Sequence, residues 1–402
     1  MRRDAAPGTR TEQLLEPARP QTHRGRQFGH PDRLDQQRFD TIHALGNDCI
    51  FTPHLDWLVD QGISCTRAYA DCPICIPARA TIMCGRHGFS TGLTANTGRI
   101  QPLREHPTLP GILTAAGYQT RAVGKMHFRP ERRHYGFEHM LLSADYHREM
   151  SRLPLHERPL RNGIGHNEMV PLIGSVADSR SQIDDHLGRL WGHLQHQRVL
   201  DDTWIICPSD HGDMLGDHRL GAKTLYQEGS AHIPFLIRPP QGVLESRRGR
   251  SCDELVSLAD ILPTLLTACG LGDRLPARID GLDLAPQLAG ATGRERIHGS
   301  CKDLHAIIEK RYKYIYATAG GHEQLFDLQE DPMEQHELIA AGRAQAQVER
   351  FRRLMHAHLR AQGHEAATDP GLRPGPEPDP EQLRRQAHPA FRVPAAVDDG
   401  VH

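Results

Sequence analysis

Short apolar segments alternate with amphipathic helical segments through the middle of the chain, and this alternation limits the possible folds more than any other feature. The segment 203–207 reads TWIIC and is typical of a strand that is buried on both faces. A second apolar run spans 233–237. Helical periodicity, with leucines three or four residues apart, occurs at 179–197 and at 253–269. This order of segments predicts a layered α/β domain.

The pattern changes near residue 297, where a second and smaller unit is expected. Residues 305–316 read HAIIEKRYKYIY, and their tyrosines alternate with polar residues as in a half-buried antiparallel strand. Residues 324–328 are the expected partner strand, and a helix is predicted around 338–361. We therefore expect a small α+β unit over 297–362.

Both ends of the chain lack helical and strand periodicity. Residues 1–33 are rich in Arg, Pro and Gly, which predicts an irregular N-terminal tail. Residues 363–402 are dense in proline, which cannot sustain a helix or an inner strand, and we expect a disordered tail there. The largest domain is therefore expected between residues 34 and 296.

The charge balance and the cysteine count exclude several classes of protein. The chain of 402 residues carries 48 Lys+Arg and 50 Asp+Glu, a net charge of −2, so no nucleic-acid partner is expected. No run of 18 apolar residues occurs, and the first thirty residues lack an apolar leader, so we expect no membrane partner and a cytoplasmic location. Nine cysteines, an odd number, argue against a disulfide framework.

Two cysteines stand close together in the segment 71–81, which reads DCPICIPARAT. They are compatible with two buried thiols in a turn, or with a redox or zinc CxxC, although no second CxxC or HxxxH follows at suitable spacing. A third interpretation starts from Pro77, which fits the first turn of a helix and so places Cys75 at its N-terminus. The helix dipole would lower the pKa of that thiol, and Arg79 could fold back beside it.

Further candidate residues stand at the predicted ends of strands or near the start of the ordered chain. Asp210 and His211 follow the TWIIC strand, where ligands collect in open α/β sheets, and they suit a divalent cation. The segment 124–127 (GKMH) could hold an oxyanion, and Lys223 is a further cation. Asp35-Gln36 is a weak signal by itself. Each of these is also compatible with an ordinary solvated loop.

In combination, these motifs resemble the type I sulfatase family of the alkaline phosphatase superfamily. Residues 75–79 match the signature C-x-P-x-R, and residues 117–127 are similar to a second signature, G-Y-x-T-x-x-x-G-K-x-H. The segment 209–223 is similar to the metal and substrate segment of that family, and 312–334 to its small C-terminal sheet. Ordered matches over roughly 35–340 are far more specific than any single motif.

The resemblance implies a fold and a cofactor. The fold would be a large α/β sandwich with a mixed, mostly parallel central sheet, carrying the catalytic residues within 34–296, and a small C-terminal antiparallel sheet. The signature cysteine of such sulfatases is oxidised to formylglycine by a maturation enzyme, which would be a partner of this chain. One Ca²⁺ would be bound by a set of side chains carried over from the family: Cys75 after modification, Asp35, Gln36, Asp210 and His211.

The resemblance also implies a reaction, the hydrolysis of a small-molecule or saccharide sulfate ester. The cation together with Arg79, Lys125 and Lys223 would neutralise the sulfate oxygens. One hydroxyl of the formylglycine hydrate would attack sulfur, and His127 or Lys223 would protonate the departing alcohol. The second hydroxyl would then expel sulfate.

Two segments depart from the pattern of the family. Residues 26–34 (RQFGHPDRL) lack the apolar strand that normally precedes the first metal ligand, and the region 141–178 is shorter than in the family. Two alternatives to a sulfatase are therefore open: a phosphodiester or phosphonate monoester hydrolase on the same fold, and a truncated, inactive relative.

Overall fold

The computed structural model covers the middle of the chain and most of its C-terminal part. It describes residues 35–96, 103, 105–128, 130–143, 145, 148 and 172–377. The predicted N-terminal tail, the divergent segment 26–34 and most of the region 141–178 lie outside the described residues. Within the described part, no helix is both long enough and apolar enough to cross a membrane.

Helices and short strands alternate along the main domain, as expected. The helices are α1 Pro53–Gln61, α2 Cys75–Cys84, α3 Gly88–Thr91, α4 Leu109–Ala115, α5 Leu172–His196, α6 Glu228–Ala231, α7 Ile261–Ala268, α8 Ala285–Leu288 and α9 Gln345–Ala361. The strands are β1 Ile63–Tyr69, β2 Arg121–Gly124, β3 His139–Leu142, β4 Ile205–Pro208, β5 His232–Ile233, β6 Phe235–Arg238, β7 Arg250–Ser257, β8 Arg296–Cys301, β9 Leu304–Glu309, β10 Tyr312–Ala317 and β11 Glu323–Asp327.

The largest sheet is mixed, which confirms the α/β class. Its order is β4-β6-β1-β5, with β7 paired to β1. Strand β7 runs parallel to β1, whereas β5 and β6 run antiparallel to β1, and β4 runs antiparallel to β6. The expectation that parallel pairs predominate is therefore wrong for the described strands. The chain returns from β4 to β6 through the four-residue α6 and no long crossover helix, so β6 runs in the opposite direction to β4.

Strand β2 lies within the second signature and forms a separate parallel pair with β3. The two strands are in register from Arg121↔His139 to Gly124↔Leu142. Helix α4 precedes them, and the Thr108 side chain caps it by accepting a hydrogen bond from the Gly111 amide. Because β2 ends at Gly124, the residues that follow it project from the end of a strand.

The predicted helix over 253–269 is wrong in its first part. Residues up to Ser257 form β7, which pairs with β1, and α7 begins only at Ile261. A capping box separates the two elements, because the Ser257 hydroxyl accepts from the Ala259 amide and the Asp260 carboxylate accepts from the Ser257 amide. The leucine spacing matched a helix, but pairing with a distant strand determines the structure of this segment.

The C-terminal unit is a four-stranded antiparallel sheet with the order β11-β10-β9-β8. The predicted single strand over 305–316 is in fact two strands, β9 and β10, which turn at Lys310-Arg311. The expected pairing with 324–328 is confirmed, since β11 pairs with β10. Helix α9 covers one face through four buried side chains at helical spacing: Val348, Phe351, Met355 and Leu359.

Candidate active site

Cys75 is the first residue of α2, as the position of Pro77 predicted. Every residue of this helix is buried, and Cys75 is 2% exposed. Ile74, the N-cap residue, makes no side-chain cap, but the amide of Ile76 donates to Asn96 Oδ1 at 3.0 Å. The side chain of Cys75 therefore lies at a helix start, where amide groups and the helix dipole favour an anion.

A histidine lies directly against the sulfur of Cys75. The distance from Cys75 Sγ to His211 Nε2 is 3.2 Å, and His211 Nδ1 donates to the carbonyl oxygen of Gly212 at 2.9 Å. Burial raises the pKa of the Cys75 thiol, but hydrogen bonds from His127 and His211 outweigh it and lower the pKa to about 4. Burial lowers the pKa of His211, yet the charge of Asp210 and its contact with Cys75 raise it overall. These shifts favour the thiolate form of unmodified Cys75 and the protonated form of His211 beside it.

Arg79 joins two carboxylates from distant parts of the chain. Its Nε donates to Asp210 Oδ2 at 3.0 Å, and its terminal nitrogens donate to Asp35 Oδ1 at 2.7 Å and to the carbonyl oxygen of Lys125 at 2.6 Å. Arg79 is 2% exposed and Asp210 is fully buried. In this arrangement the guanidinium fork is occupied by protein groups, so Arg79 aligns the two carboxylates besides contributing its charge.

Asp35 also binds Lys125, which follows β2. Lys125 Nζ donates to Asp35 Oδ2 at 2.8 Å and to Oδ1 at 3.2 Å. Burial raises the pKa of Asp35, but the charges of Arg79 and Lys125 hold it well below its usual range. Three segments of the chain, the start of the described residues, α2 and the end of β2, therefore meet at this carboxylate.

Gln36 connects the remaining predicted residues to the same point. Its amide donates to Asp210 Oδ1 at 3.0 Å, and its side-chain oxygen accepts from Lys223 Nζ at 2.6 Å. Its side-chain nitrogen donates to Asp213 Oδ2. Gln36 has a φ of 62° and His127 a φ of 63°, so two non-glycine residues of the site adopt the left-handed region. Such backbone strain is typical of functional sites.

The loop after β4 packs against the short helix α6. The amide of Gly212 donates to the carbonyl oxygen of Ser230 in α6 at 2.8 Å. A Cβ atom at position 212 would overlap the carbonyl oxygen of Gly229, so only glycine fits there. The Ser209 hydroxyl donates to the His211 carbonyl at 2.8 Å and accepts from the Gln37 amide at 2.9 Å. The orientation of Asp210 and His211 is thereby fixed on both sides.

The donor atoms of the site are compatible with a divalent cation. Among the described residues, one group of histidine, cysteine and acidic side chains has its ligand atoms within 4.8 Å of one another, and it consists of Cys75, Asp210 and His211. Asp35 is linked to this group through Arg79. Carboxylate oxygens and an imidazole nitrogen are ligands that divalent ions accept. Which residues bind the ion stays a prediction.

Every residue that the sequence singled out for chemistry lies in this one region. Two further residues were missed. Asp213, which binds Gln36, directly follows residues 210–212. Its position next to the candidates Asp210 and His211 could have identified it. Asn96, which binds the helix start, carries no signal in the sequence.

Comparisons with known proteins agree with this geometry. The family model described as Sulfatase matches residues 34–170 and 162–271. The arylsulfatase of Clostridium perfringens (strain 13 / Type A) is 25% identical over an alignment that spans 81% of this chain and 93% of that protein.

Two solved structures are similar in fold. A protein solved in complex with its substrate D-glucosamine-2-N,6-O-disulfate superposes with a TM-score of 0.65 at 17% identity, covering 82% of this chain and 96% of that one. The phosphonate monoester hydrolase of Agrobacterium radiobacter has a TM-score of 0.64 at 21% identity, covering 85% and 98%. The family match extends over more than half of the chain, and the chain therefore belongs to the sulfatase family.

Proposed function

We propose that this chain hydrolyses sulfate esters, with a formylglycine made from Cys75 as the nucleophile. The observation that carries the proposal is the position of Cys75, which lies buried at a helix start, 3.2 Å from His211 and among three cationic side chains. The match to the Sulfatase family model supports the same reaction. Formylglycine, once formed and hydrated, supplies two hydroxyls on one carbon, of which one attacks sulfur and the other later releases sulfate.

The chain's own cations bind and orient the sulfate group. Lys125 and Lys223 both lie at the site with partly exposed ammonium groups, and Arg79 supplies a third positive charge beside them. Positive groups that are already in place stabilise charge that builds on the sulfate oxygens in the transition state. His127, whose side chain reaches Cys75, and Lys223 are the candidates for protonating the departing alcohol oxygen.

A divalent cation would be held by Asp35, Gln36, Asp210 and His211, together with residue 75. Ca²⁺ is the ion that the sulfatase resemblance implies, whereas the imidazole of His211 is a ligand that transition metals accept more readily. Treating the matured protein with a chelator and then adding back Ca²⁺ or Mn²⁺ distinguishes a calcium site from a transition-metal site. We expect Ca²⁺ to restore turnover; recovery with Mn²⁺ alone would contradict the choice of ion, and unchanged turnover after chelation would contradict the cation.

The substrate class follows from the relatives. The similar structure in complex with D-glucosamine-2-N,6-O-disulfate supports a saccharide sulfate as the substrate, and the arylsulfatase relative supports an aryl sulfate as a convenient probe. A phosphonate monoester is the second candidate, because the hydrolase of Agrobacterium radiobacter is matched over 98% of its length. Turnover of an aryl sulfate should exceed that of an aryl phosphonate ester; the reverse order would favour the second candidate.

The decisive test concerns residue 75 itself. The protein is produced together with a formylglycine-generating enzyme, and the tryptic peptide containing Cys75 is analysed by mass spectrometry. We expect conversion of Cys75 to the aldehyde, turnover of an aryl sulfate, and no turnover in Cys75→Ala. The matched control is Cys72→Ser, which should retain most activity because the signature Pro and Arg stand at the correct spacing only from Cys75. A converted, folded protein without turnover would favour the inactive alternative.

A further inference from the structure

A group of four buried charged residues lies outside the candidate active site and joins the C-terminal sheet to the main domain. It consists of Lys313 on β10, Glu334 after β11, Glu228 at the start of α6 and His232 at the start of β5, and we call it the charge quartet. The exposed fractions of the four residues are 0%, 2%, 5% and 8% in that order. Buried charges are costly unless they are paired, so the pairing within the group is informative.

Lys313 binds both carboxylates of the quartet. Its Nζ contacts Glu228 Oε1 and lies 3.0 Å from Glu334 Oε1. Glu334 Oε2 also accepts from the amide of Glu228 at 2.7 Å. Burial raises the pKa of Glu228, but the charges of Lys313 and His232 outweigh it and lower the pKa to about 2. Glu228 is therefore an ionised carboxylate that only accepts hydrogen bonds.

Both ring nitrogens of His232 face hydrogen-bond acceptors. His232 Nδ1 is 2.6 Å from Glu228 Oε2, and its Nε2 is 3.0 Å from the carbonyl oxygen of Thr66. Both partners are acceptors, whereas a neutral imidazole has a single N–H to donate. The ring of His232 lies between the ring of Phe39, at 4.0 Å, and that of Tyr69, at 4.8 Å.

The quartet contacts one of the segments that carry the predicted cation ligands and is linked to the other through α6. Glu228 begins α6, and the next residues of that helix pack directly behind Gly212, whose amide donates to Ser230. On the other side, Phe39 stacks on His232 with an angle of 7° between the rings, and Phe39 lies four residues after Asp35. A shift of the quartet would therefore move the loop after β4 and the segment that begins at Asp35.

We propose that the charge quartet is a positioning device, in which Lys313 from the C-terminal sheet and the ring of His232 hold α6 and Phe39 and so set the relative position of Asp35-Gln36 and Asp210-His211. None of the four is among the residues proposed to bind the cation or the sulfate group, so the quartet would act through the segments that carry those residues. The consequence for catalysis rests on the proposed function, whereas the consequence for the position of the loop does not.

Hydrogen–deuterium exchange of the full chain tests the positional effect without metal or substrate. The variant is Lys313→Met, and the matched control is Arg294→Met, which removes a partly buried cation that binds Asp260 away from the site. In Lys313→Met, we expect exchange in the peptide covering 209–214 to accelerate about tenfold or more, since the Gly212 bond to α6 is no longer held. The same peptide should be unchanged in Arg294→Met.

Two further variants keep the test decisive if Lys313→Met does not fold. His232→Phe retains the ring between Phe39 and Tyr69 but loses both hydrogen bonds, and it should accelerate exchange in the same peptide. Lys313→Arg retains the charge. Its exchange rate in this peptide should therefore be closer to that of the original protein than the rates of Lys313→Met or His232→Phe. Equal effects of the Lys313 or His232 variants and the Arg294 control, or unchanged exchange in all of them, would overturn the proposal.

Cation affinity, measured by calorimetry with Ca²⁺ and with Mn²⁺ on the matured protein, connects the quartet to the site. We expect the Lys313 and His232 variants to bind the ion at least about tenfold more weakly, with Arg294→Met unaffected. If the protein with an intact quartet binds no cation and hydrolyses no sulfate ester, the proposed function fails, and the exchange comparison still decides the positional claim.

Discussion

A histidine cluster between α3, the C-terminal sheet and α9 makes the stability of the protein depend on pH. The rings of His298 and His358 stack at 4.1 Å, and those of His305 and His364 meet edge-on at 5.1 Å. Burial and neighbouring imidazoles lower the pKa from 6.5 to about 3 in His298, to about 3 in His305 and to about 4 in His358. The folded protein therefore holds these rings neutral at pH values where the unfolded chain protonates them.

The magnitude follows from these values. A lowered folded-state pKa means that the unfolded chain binds more protons, so stability is complete above pH 6.5 and is lost as the pH falls toward the folded pKa. At pH 5 the solution is 1.5 pH units below 6.5, the ordinary pKa of each of the three rings. At about 1.4 kcal/mol per pH unit, each ring lowers the free energy of unfolding at pH 5 by about 2 kcal/mol relative to neutral pH.

We test this with His358→Phe, which keeps an aromatic ring against His298 but removes one titrating group. Urea unfolding at pH 7 and at pH 5 gives the loss of stability on acidification, and this loss should be smaller in the variant by about 2 kcal/mol. The titration of Cys75 is common to both proteins and cancels in the difference. His336→Gln is the control, because the side chain of His336 is 79% exposed. A variant that retains the full acid sensitivity would refute the reasoning.

Three further changes act on the candidate active site or its support. Arg79→Lys keeps the charge but not the fork that joins Asp35 to Asp210, so kcat/KM for an aryl sulfate should fall about tenfold to a thousandfold; an unchanged rate would show that the fork is dispensable. Asp210→Ala should abolish binding of the divalent cation in calorimetry and most of the turnover, and binding at full strength would contradict its assignment as a ligand. Gly212→Ala should lower the melting temperature measurably, because the added methyl group overlaps the Gly229 carbonyl; an unaltered melting temperature would contradict that overlap.

The parts of the site that sequence reasoning identified are those with local signals. Proline near a helix start, glycine after a strand and polar residues at a strand end each reflect a constraint within a few residues, so Cys75 and Asp210 could be placed correctly. What the sequence could not supply is pairing over long distances. The residues of β7 match a helical pattern and become a strand only because β1 lies beside them. Lys313 and Glu228 are 85 residues apart and meet only in the folded chain.

The separation of the main sheet from the β2–β3 pair has a consequence for how the site comes together during folding. Lys125 follows β2 of the strand pair, and Asp210 follows β4 of the large sheet. Asp35 lies on the N-terminal segment, which contacts both. Of the contacts described at the site, those that join these three pieces span 90 to 187 residues of sequence. Such contacts cannot form until each piece has its own structure, because closing long loops costs entropy before the contacts compensate for it. We therefore expect the site to assemble late, so that a maturation enzyme could reach the segment around Cys75 while the nascent chain is still open.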